Sequence, residues 1–170
     1  TRYASSYSDV IDYITIASTG NATDFGDLTQ SGYEVKSLAN ETRGISGGRQ
    51  TSSSQNVIDY ITIASTGNAT DFGDMSVSRF AYGASSHRTR GLFQQGTPSS
   101  YAGSVNTIDY ITIASTGNAT DFGDATFDRY WTDSASDGTK HVTGGGDNDS
   151  DARTATCEHV TIDTLGNAST

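Results

Sequence analysis

Residues 11–27 read Ile-Asp-Tyr-Ile-Thr-Ile-Ala-Ser-Thr-Gly-Asn-Ala-Thr-Asp-Phe-Gly-Asp, and the same 17 letters return at residues 58–74 and 108–124. The second copy begins 47 residues after the first, and the third begins 50 residues after the second. A diverged fourth copy, Cys157–Ser169, aligns to the third without gaps at an offset of 49 residues. Self-similarity at this period is typical of repeat architectures, so the repeat decides the fold.

Each copy has the pattern of a β-hairpin. Val10–Ala17 is rich in β-branched and aromatic residues and carries apolar side chains on both faces of the expected strand. Strands of that kind occur in sheets that are covered on both sides. Ser18–Asn21 supplies a turn, and Ala22–Leu28 can return as a second short strand that carries Phe25. The sequence therefore predicts the same hairpin three times.

The spacers between copies differ in letters but share two further strand signals. A third strand is predicted at residues 33–38, 79–84 and 129–132, and a fourth in the segments that begin at Arg43, Arg90 and Lys140. Each period thus holds about four short strands, the content of one propeller blade. We predict an all-β fold with about 3.5 tandem four-stranded units in one domain, residues 1–170. The units are 11–57, 58–107 and 108–156, with a partial unit at 157–170.

The composition agrees with an all-β repeat fold, and the net charge excludes some classes of partner. Only 33% of the residues are hydrophobic and 19 are glycine, a balance typical of short strands joined by many turns. A formal charge of −10 repels phosphate backbones and anionic lipid surfaces, so we expect neither nucleic acid nor membrane as a partner. The chain starts at Thr1, which predicts either a processed N-terminus or part of a longer protein. The single cysteine, Cys157, is expected to be buried.

One loop has the spacing of a candidate metal site. In Gly146–Asp151 the alternate residues Asp147, Asp149 and Asp151 could direct carboxylate oxygens at one Ca²⁺ ion. The loop lacks the glycine and the distal glutamate of an EF-hand, and the interpretation that we favour is a solvated acidic loop. No other cofactor is expected.

The sequence offers few candidates for chemistry. Its three histidines fall at unrelated phases of the repeat, and no Gly-x-Ser-x-Gly or His-Glu-x-x-His spacing is present. We therefore expect no catalytic residues and no enzymatic activity. Four aromatic residues are candidates for a sugar-stacking surface: Tyr82, Tyr101, Tyr130 and Trp131. The alternative, which we favour, is that these rings fill space between units.

The unit resembles a kelch blade when it is read from its third strand. In such a blade an Arg precedes the first strand, a glycine pair closes the second, an apolar-acidic-Tyr run forms the third, and an aromatic residue lies on the fourth. The matching residues are Arg79 and Arg129; Gly47-Gly48 and Gly144-Gly145; Asp12-Tyr13, Asp59-Tyr60 and Asp109-Tyr110; and Phe25, Phe72 and Phe122. There are departures: Phe replaces the usual Trp, the first unit lacks the leading Arg, and Gln94-Gln95 replaces one glycine pair.

The near-identical copies are also similar to the degenerate kelch-like arrays in structural and fibre proteins of marine tailed phages of the cyanophage type. This resemblance covers about Val10–Gly146. It implies a non-enzymatic virion structural protein, a capsid-decorating or tail/fibre component on the extracellular particle, with other virion proteins as partners. The alternative is a receptor- or glycan-binding module, with a host surface glycan as its ligand.

Three full units and one hairpin are fewer than the four or more blades of a closed propeller. We therefore expect an incomplete propeller whose open sheet edges are covered by a second copy of the chain, by another virion protein or by residues of a longer parent chain. A compact three-bladed or trimeric β arrangement is an equal alternative.

Overall fold

The computed structural model describes residues 7–98, 103–150 and 152–170. Secondary structure within these residues is β, with no α-helix. The strands are β1 (Ser8–Tyr13), β2 (Thr23–Gly32), β3 (Lys36–Ala39), β4 (Arg43–Gln50), β5 (Ser54–Thr62), β6 (Thr70–Asp74), β7 (Gly83–Ser86), β8 (Arg90–Gln94), β9 (Thr107–Thr112), β10 (Thr120–Asp124), β11 (Asp133–Ser136), β12 (Lys140–Gly144) and β13 (Cys157–Thr161). The all-β prediction is confirmed. The described part of the chain has no helix with the length and apolar character needed to cross a bilayer.

The strands form four small antiparallel sheets, and within each sheet the strands follow one another along the chain. The first sheet is β1–β2, the second is β3–β4–β5–β6, the third is β7–β8–β9–β10 and the fourth is β11–β12–β13. Each identical copy forms a hairpin, β1 with β2, β5 with β6 and β9 with β10, as predicted. We call β3, β7 and β11 inner strands, because β7 contacts both of the others.

The predicted position of the third strand is wrong by several residues. The sequence placed it at 79–84, whereas β7 begins at Gly83. Ala81 has a φ of 56°, in the left-handed region, so the chain turns sharply before the strand can start. Glu34 and Trp131 occupy the same position in the other units and have φ values of 56° and 54°. The turn is therefore part of the repeat.

Two apolar cores lie between neighbouring sheets. The core between the second and third sheets contains Leu38, Ile45, Ile58, Phe72, Met75, Tyr82, Ala84, Phe93, Ile111 and Ile113. The core between the third and fourth sheets contains Leu92, Ile108, Phe122, Val160 and Ile162. Removing these side chains from water is the main force that holds the sheets in a stack.

Burial of the identical copies rises along the chain. Ile16 is 97% exposed in the first copy, its counterpart Ile63 is 44% exposed in the second, and Ile113 is 0% exposed in the third. The expectation of a strand covered on both sides is therefore met in the third copy and not in the first. The identical sequences form the same hairpin, and the sheets that pack against each hairpin determine how far its side chains are buried.

Cys157 is exposed, so the prediction that it is buried is wrong. Side chains alternate between the two faces of a strand, and in β13 Glu158 and Val160 occupy the buried face. Cys157 consequently points to the opposite face.

Candidate functional site

The aromatic residues considered for sugar stacking lie in different environments. Tyr82 and Tyr130 are buried, at 0% and 1% exposure, and the Tyr82 hydroxyl donates a hydrogen bond to the Gly47 carbonyl. Burial raises the pKa of that hydroxyl. Trp131 is 52% exposed, and Tyr101 lies outside the described residues. Among the described members of the set, Trp131 is the ring that reaches solvent.

The described acidic residues of the loop 146–151 make different contacts. Asp149 accepts hydrogen bonds from the Gly103 and Ser104 backbone N–H groups and, at 2.6 Å, from the Ser104 hydroxyl. The Ser104 hydroxyl, together with the two N–H groups, lowers the pKa of Asp149. Asp147 pairs through its backbone with Tyr130, and Asp151 lies outside the described residues. No three candidate ligands gather within the described ranges, and the Ca²⁺ site stays a prediction.

A buried ion pair recurs in every sheet after the first. The nitrogen–oxygen distances are 2.5 Å for Arg49–Asp59, 2.9 Å for Arg79–Asp109 and 2.8 Å for Arg129–Glu158. All six side chains have 0% exposure. A buried charge is tolerated when it is paired and fully hydrogen-bonded, so each pair constrains how its strands can pack.

Each buried acid also accepts a hydroxyl hydrogen bond from a residue on, or just after, the last strand of the preceding sheet. Thr29 donates to Asp59 at 2.5 Å, Ser76 to Asp109 at 2.6 Å and Thr126 to Glu158 at 2.6 Å. In each case the donor stands two residues after the Phe-Gly-Asp that ends a copy. Hydrogen bonds to a charged acceptor are stronger than neutral ones. The acid therefore joins its own sheet to the sheet before it.

The guanidinium of each pair is held by backbone oxygens as well. In the third sheet Arg79 donates to the Phe93 carbonyl at 3.0 Å and to the Thr107 carbonyl at 3.3 Å. Burial lowers the pKa of Arg79, and the neighbouring Asp109 opposes that shift. Arginine keeps its proton in proteins, so the site holds a charged pair.

The fourth sheet uses glutamate in place of aspartate, and Gln94 and Gln95 accompany that change. Their side-chain amides donate to Glu158 at 3.0 and 2.7 Å, and Gln95 also accepts from Arg129 Nε at 3.0 Å. Gln95 has a φ of 65°, at the position where the first spacer has Gly48 with a φ of 45°. The departure from a glycine pair thus has a physical reason, because both amides hydrogen-bond to the longer acid.

The leading Arg that is missing from the first unit is replaced by Arg49 on another strand. Arg79 and Arg129 come directly before an aromatic residue, whereas the equivalent position in the first unit is Gly32. A Cβ atom on Gly32 would lie 3.0 Å from Arg49 Cδ. In the later units the position of Arg49 is held by glycine. Arginine and glycine have exchanged repeat positions, and the ion pair is kept.

A second repeated contact joins the turn of one copy to the last strand of the copy before it. The Gly67 N–H donates to the Phe25 carbonyl at 2.7 Å, and the Ala69 N–H donates to the Asp27 carbonyl at 2.7 Å. The Asn68 side chain accepts from the Asp27 N–H at 3.2 Å. The same three hydrogen bonds recur at residues 117–119 and 166–168. We call this contact the turn–strand joint.

The turn–strand joint requires glycine in the strand. A Cβ atom on Gly26 would lie 2.4 Å from the Gly67 carbonyl oxygen, and one on Gly73 would lie 2.5 Å from that of Gly117. Gly26 and Gly73 also have φ values of 146° and 143°. Because only glycine fits so close an approach, the Phe-Gly-Asp of each copy is fixed by the copy that follows.

Arg43 and Arg90 form a third contact between consecutive sheets. Arg43 lies over the Tyr60 ring, 4.5 Å from its centre, and donates to the Ile113 carbonyl of the next sheet at 2.8 Å. Arg90 repeats the arrangement 4.9 Å from the Tyr110 ring centre and donates to the Ile162 carbonyl at 2.8 Å. A guanidinium over an aromatic face adds a cation–π attraction to the hydrogen bond.

His141 is a buried histidine that lies outside the ion pairs. Its Nδ1 lies 2.5 Å from the Ser85 hydroxyl of the neighbouring sheet, and its Nε2 lies 3.0 Å from the Thr143 hydroxyl. Burial lowers the pKa of His141 from 6.5 to about 4. The imidazole is therefore neutral in the folded chain at physiological pH.

Stability is expected to fall as the pH drops from 6.5 to 4. In this window the unfolded chain binds a proton at His141 and the folded chain does not, which costs about 3 kcal/mol in total. Urea unfolding of the wild type and of His141→Gln across this pH range isolates the contribution of His141 to the free energy of unfolding, because the two proteins share every other titratable group. We expect a shallower pH dependence for His141→Gln. Parallel curves would contradict the assignment.

The sequence carries a signal for the ion pairs. Each copy places one Asp inside an otherwise apolar strand, Ile-Asp-Tyr-Ile, and an unpaired charge is costly at such a position. That pattern alone predicts a buried cation. Which arginine supplies it depends on the tertiary fold.

Comparison with known proteins adds no assignment. No family model matches the sequence, and no curated protein matches it.

Proposed function

We propose that this chain is a non-enzymatic structural protein of a tailed-phage virion, a capsid-decorating or tail/fibre component. The observation that carries the proposal is that the repeated polar residues are engaged in contacts within and between the sheets. The Arg–acid pairs are buried at 0% exposure, and the turn–strand joints tie each sheet to the next. Groups that act on a substrate must remain accessible to it, whereas these side chains are buried against their neighbours. The repeat therefore serves assembly of a rigid stack.

The four-stranded units are proposed to be kelch-like blades of an incomplete propeller. Support comes from the strand order of the second and third sheets and from the inner strands, which lie side by side. The arginine at the start of the blade pairs with the acid of its third strand, as Arg79 does with Asp109. Open sheet edges recruit other strands, so a further copy or another virion protein is proposed to cover them.

Fractionation of phage particles tests the proposal. Particles from the culture that produces this chain are purified on a density gradient, washed in high salt and quantified by mass spectrometry against the major capsid protein. We expect the chain to remain with the particles at a fixed copy number. Recovery of the chain in the soluble fraction alone would contradict a virion role.

A receptor- or glycan-binding module is the second candidate, and Trp131 favours it. The residue is 52% exposed beside a cleft of about 390 Å³ that Glu34, Lys36 and Asp133 also line. Lys36 Nζ lies 3.2 Å from the Asp133 carboxylate. An exposed aromatic ring next to charged hydrogen-bonding groups suits a sugar ring, which stacks on its apolar face and bonds at its edge.

A glycan array with three proteins separates the two candidates. Wild type, Trp131→Ala and the control Leu165→Ala are compared, because Leu165 is an exposed apolar residue that does not line this cleft. A signal that only Trp131→Ala loses would establish glycan binding at this cleft. Absence of any wild-type signal would remove this candidate.

A further inference from the structure

A cleft lies where the turns β3–β4, β7–β8 and β11–β12 meet. It has a volume of about 660 Å³ and is lined by residues 39–42, 86–88 and 137–139. We call it the turn cleft. The cleft beside Trp131 includes the first residues of β3 and β11, so it lies at the other ends of the inner strands. The volume of the turn cleft is in the range of small-molecule binding sites.

Two of the three turns are capped by the side chain of their first residue. Asn40 Oδ1 accepts hydrogen bonds from the Thr42 and Arg43 N–H groups, both at 2.9 Å. Asp137 Oδ1 accepts from the N–H groups two and three residues on, both at 2.8 Å. Asn and Asp favour turns because their side-chain oxygen can make these bonds. The same position in the middle turn is His87.

His87 does not serve the turn as Asn40 and Asp137 do. Its Nδ1 is buried and has no hydrogen-bond partner in the part of the chain that the structure describes. A buried polar atom without a partner costs free energy, and a residue that breaks a local rule of its repeat is expected at a functional site. Because the imidazole lines the turn cleft, a ligand in that cleft is the reason that we infer for the exchange.

The third turn leaves space beside this imidazole. The residues at the tips of the three turns are Glu41, Arg88 and Gly138. A Cβ atom on Gly138 would lie 3.4 Å from Cδ2 of His87, so the ring packs against glycine backbone. A side chain as long as those at the other two tips would compete with a ligand for this space. Gly138 also has a φ of 90°, which favours glycine.

Charges of opposite sign surround the turn cleft. The middle turn contributes Arg88, which is exposed, and no acid of the described ranges forms an ion pair with it. The turns on either side contribute Glu41 and Asp137. The Lys140 and Thr139 N–H groups lower the pKa of Asp137, so its carboxylate stays charged. Both groups bond to Oδ1, which leaves Oδ2 as an acceptor.

We propose that the turn cleft binds a sugar that carries one carboxylate, a uronic acid ring within a short oligosaccharide. Arg88 pairs with the carboxylate, the His87 ring packs against the sugar, and Glu41 and Asp137 accept hydrogen bonds from its hydroxyl groups. A neutral sugar would leave the guanidinium without an anion. A phosphate or sulfate ester brings more negative charge, which the two acids and the net charge of −10 oppose.

The inference goes beyond the proposed function. It depends neither on the cleft beside Trp131 nor on a place in the virion, because none of the residues that carry it lines that cleft. Loss of either proposal would leave this one standing.

Calorimetric titration with aldobiouronic acid, a disaccharide with one uronic acid ring, tests the site. Its methyl ester is a neutral control of the same shape. We expect the acid to bind, and both the ester and the Arg88→Ala variant to raise the Kd about tenfold or more, since each removes a charge-assisted hydrogen bond. Arg153→Ala is the matched control, because Arg153 is an exposed arginine that does not line the turn cleft. No binding by the wild type, or equal binding of acid and ester, would overturn the proposal.

The variant His87→Asn separates a binding role from a structural one. It places in the middle turn the residue type found at Asn40, so the turn cap is expected to raise the Tm by about 2–4 °C. The Kd for the acid is expected to rise about fivefold or more, because the imidazole contact is lost. A lower Tm with an unchanged Kd would show that His87 serves the fold alone, and would overturn the proposal.

Discussion

Replacing Asp109 by alanine is expected to destabilise the folded chain by about 3–5 kcal/mol, because it leaves the Arg79 guanidinium buried without its counter-ion. The Ser76 hydroxyl loses its acceptor in the same step. Urea unfolding monitored by circular dichroism gives the free energy of unfolding for the variant and the wild type.

The repeat provides a matched control for this experiment. Asp12 has the same 17-residue context as Asp109, yet it is exposed, and no arginine among the described residues forms an ion pair with it. Asp12→Ala is therefore expected to leave the unfolding midpoint unchanged, whereas Asp59→Ala is expected to resemble Asp109→Ala. Equal losses at Asp12 and Asp109 would show that local sequence, and not the buried pair, sets the cost.

Arg49→Gly is expected to cost about 3–5 kcal/mol by itself, since Asp59 would be buried without a cation. Adding Gly32→Arg to that variant is expected to recover most of the loss. It places arginine and glycine at the repeat positions where the second and third units carry them, at Arg79 with Gly96 and at Arg129 with Gly146.

The single variant Gly32→Arg completes this double-mutant cycle. Even a Cβ atom at position 32 would lie 3.0–3.1 Å from three side-chain atoms of Arg49, and a second guanidinium would repel the first. We expect the single change to destabilise the chain and the double change to be milder than either. Additive losses would contradict the exchange of positions inferred for the first unit.

The repeat and its turn residues were enough to predict the class and the hairpins. Strand pairing within a copy is local, and Gly20-Asn21 lies between two β-rich segments. The start of β7 was misplaced, because Ala81 has no sequence signal for its φ of 56°. An alanine in the left-handed region is held there by tertiary contacts that a local pattern cannot reveal.

The turn–strand joints could not be predicted from the sequence, because they depend on contacts between residues more than 40 positions apart. Asn68 looked like a turn residue, and it also accepts a hydrogen bond from Asp27 in the preceding copy. This second role explains why Gly166-Asn167-Ala168 is retained in a fourth copy that has diverged elsewhere. The cation for each buried acid could not be predicted either, since Arg49 reaches its acid from β4 and Arg79 reaches the equivalent acid from the segment between β6 and β7.

Amide hydrogen exchange at Gly20, Gly67 and Gly117 tests the central claim, that stacked turn–strand joints hold the units together. The three glycines share the same flanking residues, so their intrinsic exchange rates are equal and differences report structure alone. Gly67 and Gly117 donate to Phe25 and Phe72 at 2.7 Å, and the first copy has no equivalent strand before it in the described chain. We predict slow exchange at Gly67 and Gly117 and fast exchange at Gly20. Equal rates at all three glycines would contradict the account.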